Sequence, residues 1–322
     1  MEEKLEIWSS NLGYPRVGEK RELKKALESY WQGNITDKEL LQTAFFLQKN
    51  IWEVQKEAGI DFIPVGDFSL YDHMLDISIN FGFIPKRFRQ NGVKNDLGIY
   101  FNMARGAKDT PPLEMTKWFD TNYHYLVPEI DAEPQLLENP LLTLIQKAKS
   151  LDIQPKPVLV GPYTFLKLSK ASEEKNKFWV LPKLLEVYKE VLKQWAMTGV
   201  KWVQIDEPAL VLEMSDEEIK VVKDIYYKLS FPDINIMLQT YFEGVSAYQE
   251  VVNLPVQGIG LDFVRSDDNL ENIKKYGFPK EKVLGLGIVN GRNVWRTNLT
   301  HAFALAKEII DIAHPKAVFV QP

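Results

Sequence analysis

Short apolar runs recur along this chain, and most are followed by a segment with helical periodicity. Eight of them are candidate strands: Leu5–Asn11, Phe62–Asp67, Val158–Pro162, Trp202–Glu207, Ile236–Tyr241, Gly258–Val264, Val283–Asn290 and Ala317–Gln321. Runs such as "KPVLVG" and "KVLGLGIV" are almost wholly apolar, which suits strands buried on both faces of a helix-covered parallel sheet. Between the runs lie amphipathic segments. Leu181–Gly199 sets Leu184, Leu185, Tyr188, Val191, Leu192 and Trp195 on one helix face, with Gly199 where a C-cap is expected.

Repeated βα units predict a parallel sheet, either doubly wound or closed into a barrel. The strand count favours closure, and so does the lack of a Gly-x-Gly-x-x-Gly turn after the first strand. The expected fold class is therefore α/β, a (βα)8 TIM barrel with a long insertion between strands 2 and 3. That insertion runs roughly from Phe68 to Pro157, too long for an ordinary connection. A ninth run, Tyr123–Val127, is placed inside it rather than in the barrel wall. The best loop candidate, "GAKDTPPLE" (Gly106–Glu114), also falls within it, so no linker divides the chain. Residues 1–322 are expected to form one domain.

A net charge of -5 over 322 residues gives no broad positive field for nucleic acid or a membrane surface. The absence of cysteine excludes disulfides, thiolate nucleophiles and zinc sites of the cysteine type. The four histidines, His73, His124, His301 and His314, share no local metal-ligand spacing. The start, "MEEKLEIWSS", lacks the layout of a signal peptide, and no apolar run reaches about 18 residues. A soluble, cytoplasmic location is the expectation.

Polar residues gather at the C-terminal ends of the strands: Asp67, Asp206, Glu207, Thr240, Tyr241, Asp262 and Asn290. In a βα barrel these ends line the functional mouth. The same residues also suit helix capping or pairing with mouth arginines. Asp206 and Glu207, adjacent in "QIDEPAL", point to opposite sides of a strand and so cannot serve one bond as acid and base.

Arg16, Lys20, Arg21, Lys24 and Lys25 crowd the entrance to the first helix of this acidic chain. Cations there oppose the helix dipole unless an anion arrives. A solvated basic face, with Glu19 and Glu22 as partners, is the plainer alternative. A third feature is aromatic: Lys117 lies beside Trp118 and Phe119, where a cation and a stacking surface suit a flat anionic ligand. Packing of these aromatics onto the barrel is the commoner outcome. His73 and His124 are candidate bases, although a lone histidine is more often structural.

The stretches "NLGYPRVGEKRELKKALESYW", "AGIDFIPVGDFSLYDHML", "EMTKWFDTNYHYLVPE" and "VQIDEPAL" resemble cobalamin-independent methionine synthase, a family of 5-methyltetrahydropteroyltriglutamate–homocysteine methyltransferases. The resemblance covers essentially the whole chain but only the N-terminal half of the family's length. It implies two face-to-face (βα)8 barrels. In the family the C-terminal barrel holds zinc through histidine, glutamate and two cysteines, and the two barrels together move a methyl group from 5-methyltetrahydropteroyltri-L-glutamate to L-homocysteine, forming L-methionine. No metal ligand, cofactor or catalytic residue carries over to this cysteine-free chain. What carries over is a substrate-binding set for the folate triglutamate tail: Arg21, Glu22, Leu23, Lys24 and Lys117, with Arg16 as a further candidate. The implied partners are that folate and the C-terminal barrel of the same enzyme. The chain reads as a fragment or separately made half, inactive alone, and Asp206 and Glu207 read as structural. Two other readings remain: an independent sugar-processing or decarboxylating barrel using Asp67, Asp206, Glu207 and Asp262, and a purely structural barrel that supports a catalytic partner.

Overall fold

The computed structural model describes residues 5–89, 96–171, 176–230 and 233–322. Residues 90–95, inside the expected insertion, lie outside it. Eight parallel strands form the main sheet: β1 (Glu6–Ser9), β2 (Ile63–Val65), β3 (Pro155–Val160), β4 (Trp202–Asp206), β5 (Asn235–Gln239), β6 (Gly258–Asp262), β7 (Val283–Gly287) and β8 (Ala317–Gln321). Their order is β1-β8-β7-β6-β5-β4-β3-β2. The two ends of that order meet at a parallel Ser10–Phe62 bridge, where Ser10 Oγ also donates to the Phe62 carbonyl at 2.7 Å, closing the barrel.

The third strand starts earlier than the sequence pattern predicts, at Pro155, and Pro162 belongs to the next helix. Pro155–Pro157 pair only with β2, and pairing with β4 begins at Val158. The two prolines therefore sit where no ladder bond toward β4 is required of them. β8 matches its predicted run, Ala317–Gln321, and the remaining strands are each shorter than their apolar runs, because the polar run ends have already turned into the mouth loops.

The interior is layered. Toward the strand starts, Trp8, Phe62, Trp202 and Phe319 pack ring against ring, with centroids 5.1–6.5 Å apart. Above this apolar floor the filling is polar, with Lys156, Gln204, Gln239 and Gln321 all buried. Gln321 Nε2 donates to Gln239 Oε1 at 2.7 Å. A Cβ on Gly260 would lie 2.0 Å from that same Gln239 oxygen, so only glycine fits opposite it.

Helices α1 (Glu22–Trp31) and α2 (Asp37–Glu57) follow β1. The insertion between β2 and β3 carries α3 (His73–Asn80), α4 (Leu97–Arg105) and α5 (Leu141–Ser150), plus an antiparallel hairpin of Met115–Lys117 with His124–Leu126. The run at Tyr123–Val127 thus lies outside the wall, as expected. Leu23, Leu27, Leu40, Leu75, Phe101 and Leu126 belong to a satellite core that joins α1 and α2 to the insertion. The later helices α6 (Pro162–Lys167), α7 (Leu181–Met197) and α8 (Asp216–Leu229) cover the sheet. In α7 all six residues of the predicted face are buried, and Gly199 follows it at φ 73°. No helix among the described residues is long and apolar enough to cross a membrane.

Candidate functional site

Strand alternation throws Asp206 into the barrel mouth and Glu207 outward. Gln204 Nε2 donates to Asp206 Oδ1 at 2.7 Å, and the Tyr241 hydroxyl donates to Oδ2 at 3.4 Å. Glu207 is fully buried at the start of α6. It accepts from the Tyr163 and Thr164 amides at 3.1 and 2.6 Å and from the Tyr226 hydroxyl at 2.8 Å. A Cβ on Gly161 would come within 2.2 Å of its carboxyl, so the backbone is shaped around it. This is an anchor, with its oxygens already committed.

Asp262 and Asn290 are likewise committed. Asp262 accepts from the amides of Phe242, Val264 and Arg265, and Asn290 accepts from that of Arg292. Thr240 donates to the Gly260 carbonyl at 2.7 Å. Of the strand-end residues, Asp67, Asp206 and Tyr241 line a cavity of about 900 Å³, together with His73 and Asp76 of α3.

Lys156, 1% exposed, reaches toward this group and donates to the Asn11 carbonyl at 3.0 Å. Loss of solvent dominates its pKa, pulling it down to about 7, while Asp206 and Asp67 hold it up. Burial likewise pushes Asp67 and Asp76 up to about 6, and Asp72 and Asp206 up to about 7. His73 falls to about 3 through burial and the nearby Arg16 charge, so it is neutral at physiological pH. Its ring stacks on Tyr123 and meets Trp118 edge-on at 4.5 Å. His124 is exposed, with Nδ1 3.1 Å from the Asn122 carbonyl.

Arg16 turns into the mouth, away from the helix entrance. Its Nη2 donates to the Tyr71 carbonyl at 2.5 Å, and its guanidinium lies 5.5 Å from the Tyr123 ring centroid. The remaining cations of the cluster, Lys20, Arg21, Lys24 and Lys25, are exposed. Arg21 is the N-cap of α1 in the left-handed region, φ 60°, and provides no side-chain cap. Such backbone in a non-glycine residue costs about 1 kcal/mol and tends to persist where function holds it. Glu22 folds back onto the Lys20 amide at 2.9 Å, and Leu23 is buried in the satellite core. Lys24 pairs with Glu28 at 3.6 Å, an exposed contact that contributes little.

Lys117 is exposed on the hairpin, opposite His124. Trp118 beside it offers no stacking surface, and the commoner outcome, packing onto the barrel, holds for it. Trp118 is only 4% exposed, because it is packed among His73, Phe119 and Tyr125. The satellite core contains both Leu23 of α1 and Leu126 of the hairpin, so the two basic elements rest on shared packing. Among the described residues no ion pair or hydrogen bond joins Lys117 to α1. The hairpin tip is strapped across the mouth: Asp120 bonds Arg265 at 2.7 Å and Arg292 at 3.2 Å, from the loops after β6 and β7. Beside the strap, the rings of Phe119 and Phe242 lie 5.5 Å apart.

Residues 8–314 match the family model described as the cobalamin-independent synthase, N-terminal domain. The chain belongs to that family. It is 50% identical over 319 residues to a 5-methyltetrahydropteroyltriglutamate–homocysteine methyltransferase of Listeria monocytogenes, covering 98% of this chain and 42% of that protein. It is 44% identical over 322 residues to the enzyme of the same name from Bacillus subtilis, with the same coverage. This cobalamin-independent synthase domain thus spans less than half the length of the curated relatives it matches. A B12-independent methionine synthase from Shewanella superposes with a TM-score of 0.69 at 13% identity, over 89% of this chain and 82% of that one, a likeness of fold.

The zinc implied for the family finds no donor set in this domain. The chain has no cysteine, and among the described residues no three of His, Cys, Asp or Glu converge as a metal site. The residues present do not fit the ion.

Proposed function

We propose that this chain is the N-terminal half of a cytoplasmic 5-methyltetrahydropteroyltriglutamate–homocysteine methyltransferase. Its task is to hold the polyglutamate tail of the methyl donor. As a single barrel domain it works with a C-terminal barrel of the same enzyme and is not catalytic alone. The observation that carries this reading is the entrance to α1. There a strained, uncapped Arg21 and exposed Lys20, Lys24 and Lys25 stand together on a chain of net charge -5.

A tail of several carboxylates suits that entrance in charge, and the exposed Lys117 adds a further cation. Each charge-assisted hydrogen bond to such a tail contributes about 1–3 kcal/mol. Glu22 supports the loop through the Lys20 amide, and Leu23 fixes the first turn in the core. Both act by positioning the cations. Arg16, committed to Tyr71 and Tyr123, is less suited to the tail than the other candidates.

Calorimetric titration with the triglutamyl donor tests this. Lys24→Ala and Lys117→Ala are each expected to weaken binding by about tenfold, corresponding to about 1.4 kcal/mol, and added salt should weaken it further. Unchanged affinity in both variants would overturn the assignment.

A further inference from the structure

The mouth cavity extends between α2, α3 and α5, and tail binding makes no use of it. Part of its wall is apolar, formed by Leu41 and Phe45 of α2 and Leu141 and Leu144 of α5. Its polar groups are mainly acceptors. Asp67, Asp76 and Asp206 line it, and so does Gln48 of α2. Gln48 is only 9% exposed, and its Oε1 has no hydrogen-bond partner among the described residues. An amide oxygen withdrawn from water without a donor is unfavourable, and a ligand that brings an N–H removes that penalty.

Charge points the same way. The cations that bear on Asp67, Asp76 and Asp206 are Lys156 and Arg16, two against three. Lys147, a cation of the cavity wall itself, lies 4.0 Å from the Phe45 ring centroid, so this wall already receives an ammonium on an aromatic face. The volume, about 900 Å³, is that of a small-molecule site.

We propose that this cavity binds a small organic ammonium with an apolar body. Its N–H groups meet Gln48 Oε1 and the carboxylates, and its hydrocarbon lies along Phe45, Leu141 and Leu144. The site is independent of tail binding at α1.

The full chain is titrated with phenethylammonium and, separately, with 2-phenylethanol, which has nearly the same shape without the charge. The ammonium is expected to bind at least about tenfold more tightly than the alcohol. Gln48→Leu should reduce ammonium affinity by about fivefold or more, and the fold should tolerate it because an orphaned amide gives way to an apolar group. Asp67→Asn, which keeps the side-chain shape, should show a loss of the same direction. Equal affinities for the two probes, no binding of either, or ammonium binding that survives both substitutions would each overturn the proposal.

Discussion

Replacing Glu207 with alanine is expected to lower the stability of this domain by about 4 kcal/mol, the largest effect of any single carboxylate here. Three buried donors would lose their acceptor at once: the amides of Tyr163 and Thr164 and the hydroxyl of Tyr226. Each stranded donor costs about 1–3 kcal/mol, and partial relaxation keeps the sum toward the lower end. For a chain of this size the thermal midpoint should fall by about 6 °C. Glu207→Gln, which retains one oxygen acceptor, should lie in between. A shift below about 2 °C in Glu207→Ala would refute the anchoring role and reopen the reading in which the carboxylate serves chemistry.

Lys156→Met is expected to be the other severe substitution, with a cost that depends on pH. In the native protein the buried ammonium offsets Asp67 and Asp206. Both carboxyls have folded pKa values raised above the ordinary 3.8, to about 6 and about 7. Between those limits the folded state holds protons that the unfolded chain has released, so stability falls as pH rises through that window. Without the lysine the carboxyls rise further and the fall steepens. At about pH 6.5, where Lys156 still keeps most of its proton and Asp67 has released its own, the variant should lose about 3 kcal/mol, as expected when one partner of a buried charge group is removed. At about pH 5 the carboxyls are protonated, methionine replaces a desolvated ammonium, and the difference should vanish or reverse. Urea unfolding at the two pH values measures this. An equal loss at both would show that Lys156 contributes packing rather than charge.

Much of this architecture was legible in the sequence because a parallel barrel writes its buried strands as apolar runs and its helices as periodic ones. The α7 face and the exclusion of Tyr123–Val127 from the wall follow from those patterns alone. The opposed directions of Asp206 and Glu207 follow from strand alternation, and the structure adds why Glu207 is buried, namely the α6 amides. Lys156 was not legible. A lysine between two prolines, in "QPKPV", looks like a loop, and only its pairing with β2 brings it inside.

The strap from Asp120 to Arg265 and Arg292 joins residues more than a hundred positions apart, which no local pattern encodes. Arg21 shows the opposite limit. Its charge was visible in "RELK", whereas its left-handed backbone, set by the turn from Gly18 and the docking of Leu23, was not. Of the two outcomes open to Trp118, packing won over stacking because a tryptophan beside a lysine can equally be core, and the rings of His73, Phe119 and Tyr125 close over it.

Whether the tail binds here is decided by titrating the same protein with two donors, 5-methyltetrahydrofolate with three glutamates and with one. If the basic entrance to α1 and Lys117 hold the tail, the triglutamyl form should bind at least about tenfold more tightly, with a steeper loss in salt. Equal affinity for the two, or binding indifferent to ionic strength, would contradict a tail site in this chain.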